Sequence, residues 1–282
     1  MRQYPRISLV TPSLNQAQYL EQTISSVLTQ SYSNLEYIVL DGGSTDGSQE
    51  ILKKYGHQIT FWETGPDSGQ ADAIRRGFAM SSGEILGWLN SDDILLPGAL
   101  CTVADWFLRN PSKSWAVGGT LMLDADGQMR LDALGNPVIM PDSRVTAARL
   151  LYWDCGFCQP AVFWRRSLYD EVGGLDSHFK FCMDYDLFVR FARKTPSGRV
   201  RGLLAGFRFH PGSKTSTWDE VRVQENQDVR QRYGQLSAAG VIAKARFRWY
   251  AFCFYLKIRS LQLGMMSGLH PFARQITDLG LK

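Results

Sequence analysis

A chain of 282 residues, 44% hydrophobic and 21% charged, is long enough to bury a substantial core and too ordinary in composition to be globally disordered. Its formal net charge of +4 is too small to point to nucleic acid, and suits a protein that meets anionic phosphates or an anionic membrane surface. Five cysteines, an odd number in a chain this long, argue against a disulfide framework, and Cys155-x-x-Cys158 has neither a second pair nor a thioredoxin-like setting to make it a zinc or redox motif.

Strands and helices alternate through the first hundred residues. Ile7 to Thr11 reads as a buried strand, and Asn15 is placed to cap a helix whose Leu20, Ile24, Val27 and Leu28 share one face. Tyr37 to Leu40 is a second strand, ended by Asp41-Gly42-Gly43, and Ile51, Leu52 and Tyr55 mark a second helix. Ile59 to Trp62 reads as a third strand, Gln70 to Met80 as a helix, and Ile85 to Leu89 as a fourth strand closed by Asn90-Ser91-Asp92-Asp93. The following helix carries Leu100, Val103, Ala104, Phe107 and Leu108 on one face and stops at Pro111. This alternation predicts an α/β fold with a doubly wound parallel sheet, whose ligands sit beyond the carboxyl ends of the strands. Thr11 to Asn15, Asp41 to Asp46 and Asn90 to Asp93 would then surround one crevice.

After Trp115 the pattern loosens. Asp126-Gly127 reads as a hairpin turn between Leu121–Asp124 and Gln128–Leu131. Gln159 to Trp164 reads as a strand, Arg165 to Val172 as a short helix, and Asp184 to Ala192 as a helix with Leu187, Phe188 and Phe191 inward. From about residue 236 the chain turns basic and aromatic. The longest uncharged run within its aromatic core, Trp249 to Leu256, is far short of the roughly 20 residues a spanning helix needs. The tail is expected to pack on the domain as a helix or to lie on a membrane surface. No secretory signal precedes the first strand, so the expected location is the cytoplasm, or the inner face of the cell membrane if the tail binds there.

Carboxylates at strand ends carry the chemistry. Asp92 and Asp93 suit a divalent cation with oxygen ligands, which needs only one or two protein carboxylates when a diphosphate completes its shell. Asp41 could accept hydrogen bonds from a base or ribose, or serve its own turn. Neither the dinucleotide G-x-G-x-x-G pattern nor the phosphate-loop G-x-x-x-x-G-K-[ST] is present, which counts against a dehydrogenase or a P-loop kinase.

In combination these segments become specific. Val10-Thr11-Pro12-Ser13-Leu14-Asn15, Tyr37 to Gly47, Gly65 to Ile74, Gly87 to Asp93, Val172 to Asp176, Met183 to Arg190 and Arg208 to Ser213 occur in the order seen in family 2 glycosyltransferases of the GT-A fold. The chain resembles that family from about residue 5 to 215, most closely enzymes of bacterial surface-polysaccharide assembly such as O-antigen synthesis. The resemblance implies a Rossmann-like, mostly parallel central sheet flanked by helices. It implies a GT-A domain over 1–235, with a nucleotide-sugar-binding half (1–115), an acceptor and catalytic half (116–235), and a helical tail (236–282). It also implies that Thr11, Pro12 and Asn15 line the nucleotide pocket, that Asp41 holds the base or ribose, and that Asp72 lies near the nucleoside.

The family's D-x-D metal motif falls on Asn90-Ser91-Asp92, so Asp92 becomes the main ligand for Mn²⁺ or Mg²⁺, with Asp93 beside it and His210 completing the metal or diphosphate site. The catalytic Glu-Asp pair falls on Met183-Asp184, which leaves Asp184 as the base. Asp186 points about 200° away on a helix, so the two do not share one task. Arg190 would pair with a carboxylate or approach phosphate, and Gln159-Pro160 would border the acceptor or merely stiffen a loop. The group Trp153, Phe157, Phe163 and Trp164 could stack a sugar but reads better as core.

The expected reaction is a metal-dependent, inverting transfer of sugar from a nucleotide-diphosphate donor, a UDP- or GDP-sugar first, to a hydroxyl of a saccharide or lipid-linked saccharide. Two other readings stay open. One is a nucleotidyltransferase. The other is a non-catalytic nucleotide-sugar-binding or scaffold subunit on a membrane-bound assembly, which Asn90 and Met183 favour.

Overall fold

The computed structural model describes residues 4–152, 156–216 and 220–234. The tail 236–282, with its expected helix and membrane contact, lies outside the described residues, as do Trp153 and Cys155. Among the described residues no helix is long and apolar enough to cross a membrane.

The first half folds as its periodicity requires, with the third strand moved from the Ile59 to Trp62 read in the sequence to Phe61–Thr64. Strand β1 (Ile7–Ser13), helix α1 (Ala17–Leu28), β2 (Leu35–Asp41), α2 (Ser48–Tyr55), β3 (Phe61–Thr64), α3 (Gln70–Met80) and β4 (Ile85–Trp88) alternate in order. β1 lies between β2 and β4 and is parallel to both, with Ser13 opposite Asp41 and Val10 opposite Trp88. That register sets the carboxyl ends of the three strands on one edge.

Then come β5 (Ile94–Leu95), α4 (Ala99–Arg109), β6 (Trp115–Leu123), β7 (Ile139–Met140), α5 (Ala147–Tyr152), a 3-10 turn at Gln159–Ala161, β8 (Val162–Arg165), α6 (Arg166–Glu171), α7 (Met183–Lys194), β9 (Gly198–Arg208) and α8 (Glu220–Tyr233). One sheet joins both halves in the order β3-β2-β1-β4-β8-β6-β9-β5, with β7 on β6. β3, β2, β1, β4, β6 and β9 run one way; β8, β5 and β7 run against them.

The two larger of three hydrophobic clusters form because successive strand residues point to opposite faces. Ile7 and Leu9, with Tyr37 and Val39, meet Leu20, Ile24 and Val27 of α1 and Leu100, Val103 and Phe107 of α4. Val10, Ile38 and Leu40 meet Ile74 and Phe78 of α3 on the other face, where Trp88, Trp115 and Trp164 pack with Leu187, Phe188 and Phe191 of α7. Phe157, Phe163 and Trp164 are buried in this double core.

Asp126-Gly127 makes the expected hairpin turn: Gly127 takes φ 81°, Asp124 N–H donates to Gln128 O at 2.9 Å, and Leu123 sits opposite Met129. Gln159 to Ala161, read as strand, forms the 3-10 turn instead, with Pro160 supplying no N–H for a ladder. Cys101, Cys158 and Cys182 are free thiols. Burial pushes the Cys158 thiol up to about 12, which suits neither a redox nor a zinc role.

Candidate active site

A cleft of about 350 Å³ opens at the carboxyl edge of the sheet, bounded by Pro12 to Leu14 and Gln16 after β1, by Asp67, Gly69 and Gln70 at the start of α3, by Asn90 to Asp93 after β4, and by Gly212 to Thr215 after β9. Among the loops expected around one crevice, those after β1 and β4 form its walls directly.

The loop after β2 supports that wall from behind. Asp41 is 3% exposed, and its Oδ2 accepts hydrogen bonds from Ser44 N–H at 2.9 Å, Thr64 Oγ1–H at 2.7 Å and Gly43 N–H at 3.2 Å. Its Oδ1 accepts from Ser44 Oγ–H at 2.5 Å, and Ser44 Oγ in turn accepts from Asn15 N–H at 2.7 Å. Asn15 sits at φ 52°, a left-handed conformation Asn tolerates, and its Oδ1 accepts from Thr45 N–H at 2.9 Å. Asn15 therefore stitches the two loops together and does not cap α1. The first amides of α1 are met by the next loop: Ala17 N–H donates to Asp46 Oδ2 at 2.9 Å and Gln16 N–H to Ser48 Oγ at 3.3 Å.

Asp92 and Asp93 separate sharply. Oδ2 of Asp92 faces Nε2 of His210 at 3.1 Å, with the aspartate 19% and the histidine 5% exposed at the side chain. Asp93 is 1% exposed; its Oδ1 accepts from Arg208 N–H at 2.9 Å and its Oδ2 has no partner among the described residues. Burial first and the Asp92 charge second push the Asp93 carboxyl well above the usual carboxylate range.

Arg208, the last residue of β9, holds this turn. It is 2% exposed, donates from Nε to Asp92 O at 2.8 Å, bonds Gln22 Oε1 and Ala125 O, and stacks on Tyr19. The Tyr19 ring also packs on His210, with centroids 4.6 Å apart. On the other side the Thr23 hydroxyl lies 2.9 Å from Ser91 O and 2.7 Å from Asp93 O. Sequence reading did not single out Arg208 or Thr23; a buried arginine beside a histidine motif was the one available signal.

Asp184 stands in the first turn of α7. Burial, the largest influence, pushes its carboxyl up to about 6, against the Tyr185 amide and the Lys214 charge, which lower it. Asp184 does not itself line the cleft; Lys214, whose charge acts on it, does. Lys214 Nζ donates to Gln70 Oε1 at 2.8 Å, and Gln70 Nε2 donates to Asn90 Oδ1 at 2.8 Å. The α7 N-terminus is pinned by Glu225 of α8, whose carboxylate accepts from the amides of Lys180, Phe181 and Cys182 at 2.7, 2.8 and 2.9 Å. Gln70, Lys214 and Glu225 were not legible as site residues, because each acquires its role from a partner far away in the chain.

Asp186 is fully buried and, as its helical spacing implies, turned away from Asp184. It binds Arg190 Nη2–H at 2.6 Å and Tyr233 O–H at 3.0 Å. Arg190 spends its remaining donors on Val172 O and Gly174 O, so of its two expected roles it takes the carboxylate pair and not the phosphate.

Besides Asn15 and Asp41, which brace the cleft instead of lining it, four expected placements are corrected. Thr11 is fully buried with Oγ1 accepting from Tyr37 O–H; strand alternation sends it inward where Pro12 goes to the cleft. Asp72, two residues and about 200° of helix beyond Gln70, lines a separate open cavity with Arg75, Arg166 and Tyr169. Gln159 and Pro160 are buried and absent from the cleft wall; Gln159 Nε2 is tied to Trp88 O at 2.9 Å.

Residues 8–173 match the profile described as Glycosyl transferase family 2. The chain belongs to that family. An "Uncharacterized glycosyltransferase" of Mycobacterium tuberculosis is 28% identical over 211 residues, covering 73% of this chain and 76% of the relative. One of Rickettsia conorii is 28% identical over 218 residues, covering 74% of this chain but only 35% of its own length. This chain therefore spans about a third of the Rickettsia conorii relative. S. aureus TarS 1-349, solved in complex with UDP-GlcNAc, superposes with a TM-score of 0.60 at 17% identity over 86% of this chain and 71% of that one. The likeness shows a GT-A fold.

Proposed function

We propose that this family 2 chain transfers a sugar with inversion from a nucleoside-diphosphate donor to a hydroxyl of a saccharide or lipid-linked saccharide. The observation that carries the reading is the contact of His210 with Asp92, which lines the cleft, together with Asp184, which lies off the lining, is raised to about 6 and feels the charge of the cleft residue Lys214.

One carboxylate oxygen and one imidazole nitrogen 3.1 Å apart fit a divalent cation whose remaining ligands are diphosphate oxygens and water. Among the described residues no cluster of three or more His, Cys, Asp or Glu could hold a cation unaided, so this pair would need donor oxygens and water to complete a shell. Asp92 and His210 would hold Mn²⁺ or Mg²⁺, which would supply positive charge against the departing diphosphate.

The chain's own residues do the rest. Pro12 to Leu14, Asp67 and Asn90 shape the donor side, with Asn15 and Asp41 bracing the wall. In this reading of a 1–235 domain, residues up to 115 supply most of the donor wall, and the remainder carries the base and adds Gly212 to Thr215 to the same cleft. Asp184, ionised above pH 6, takes the acceptor proton as that oxygen attacks the anomeric carbon, and the diphosphate leaves from the opposite face. No covalent sugar–enzyme intermediate is needed. The resemblance of the motifs to those of surface-polysaccharide enzymes supports an acceptor of that class.

The deciding experiment is a thermal-shift panel of UDP-, GDP-, dTDP- and CDP-sugars with Mn²⁺, followed by assay of nucleoside diphosphate released on adding acceptor. One donor should raise the melting temperature and be consumed. Donor binding with no turnover against any acceptor would instead favour a scaffold, and consumption of a nucleoside triphosphate a nucleotidyltransferase.

A further inference from the structure

We infer that Lys214 is a diphosphate ligand of the donor, supplying the positive charge that the single-carboxylate site at Asn90-Ser91-Asp92 leaves unmatched. The inference rests on the donor reading above and adds a residue no sequence motif marks.

Three observations converge on it. First, among the described residues that line the cleft, Lys214 is the one Lys or Arg; the other ionisable neighbours, Asp67, Asp92 and the sealed Asp93, are all acids. A nucleoside diphosphate carries more negative charge than one cation on one carboxylate neutralises, and a cleft with only acids besides would repel it.

Second, the ammonium is held in place. Nζ donates to Gln70 Oε1 at 2.8 Å and to Lys180 O at 3.2 Å, which leaves the third donor of the ammonium for a ligand. Lys180 is itself fixed by Glu225 through its amide at 2.7 Å. The loop that carries Lys214 is closed on His210: Ser213 N–H donates to His210 O at 3.0 Å, and Ser216 Oγ–H to the same oxygen at 2.5 Å. Lys214 and His210 thus sit on one hydrogen-bonded turn.

Third, the hydrogen bonds run from Lys214 through Gln70 to Asn90 Oδ1 at 2.8 Å. The position at which the family's metal motif has lost an acid is wired to a cation on a loop more than a hundred residues later. An amide at position 90 leaves the lysine's charge available; a carboxylate there would draw on it.

The test is calorimetric titration of UDP, UMP, GDP and GMP, with and without Mn²⁺, into the full chain and into Lys214→Met and Lys214→Arg. An ionic hydrogen bond to phosphate is worth roughly 10- to 100-fold in affinity. K214M should lose at least roughly tenfold toward the diphosphate of whichever base binds, with and without Mn²⁺, and much less toward the monophosphate, while K214R keeps most of the diphosphate affinity. Melting curves establish that each variant is folded. Unchanged diphosphate affinity in a folded K214M, or equal losses toward mono- and diphosphate, overturns the assignment and makes Lys214 a tie between Gln70 and Lys180. Failure of the wild-type chain to bind any of these, or dTDP or CDP in the same titration, overturns the donor reading, and this assignment with it.

Discussion

Nε2 of His210 stands 3.1 Å from Oδ2 of Asp92, across 118 residues of sequence. β9 and the turn after β4 bring them together, and Arg208 fastens the two segments with Nε on Asp92 O at 2.8 Å. If the pair holds a cation, Asp92→Ala and His210→Ala should each weaken Mn²⁺-dependent nucleotide binding by more than roughly tenfold, the least that even an outer-shell partner is worth. Asp92→Ala should remove the metal dependence almost entirely. Titration of nucleoside diphosphate with and without Mn²⁺ reads this directly; an unaltered metal effect in both variants removes the site.

Asp184 should show itself through pH. Its folded-state value of about 6 lies above the ordinary aspartate value of 3.8, so the protonated form is favoured by folding. Activity that needs the carboxylate should rise with pH through about 6, and Asp184→Asn should lower turnover roughly 10²- to 10⁴-fold with donor affinity nearly intact. The sign for stability is opposite. Above pH 6 the native state holds an ionised, poorly solvated acid, so the amide variant should be more stable there by about 1–3 kcal/mol, and the gap should close between pH 6 and 4. Denaturant melts at pH 8 and pH 4 measure it; an equal gap at both values denies the burial.

Glu225 receives three backbone amides from Lys180 to Cys182, just ahead of the helix that carries Asp184. Replacing it with Gln leaves one acceptor oxygen for those donors and removes a charge that complements the helix N-terminus. Glu225→Gln should cost about 1–3 kcal/mol of stability and lower turnover more than donor affinity, since the base is what shifts. Hydrogen exchange at residues 180–186 should quicken. Wild-type exchange there would separate α8 from the placement of the base.

Gly77 presses α3 onto β1: a Cβ there would come 2.6 Å from Val10 Cγ1. Gly77→Ala should therefore destabilise by about 1–3 kcal/mol even though alanine is the better helix former. Val10→Ala in the same chain should recover part of that loss, because it clears the space. Additive losses in the double variant would show that the close approach is not what selects glycine.

How much was legible can be seen by comparing two halves. Ile7, Leu20, Tyr37, Ile74 and Leu100 stand where strand and helix periods demand, and the helix over Gln70–Met80 has its boundaries as read. β9 was not read, for it is interrupted by Gly198, Gly202 and Gly206 and carries three arginines. α8 was not read either: it buries only Glu225 and Val229, so no apolar stripe announces it.

For the site, Asp92, His210 and Asp184 were named from their motifs, and the first two meet. Thr11 and Asp72 were misplaced because a motif identifies a stretch of chain while strand alternation and helix rotation decide which side chain faces the ligand.

The sequence by itself determined the alternation of elements, the edge of the sheet where chemistry collects, and the acids available there, since hydrophobic period and turn residues are local properties. Only tertiary structure decided that Asp41 braces a loop, that Asp93 is sealed beneath Arg208, and that Lys214 reaches Gln70. Those outcomes depend on burial and on partners far apart in the chain, and a carboxylate or an ammonium takes its charge, direction and use from what surrounds it.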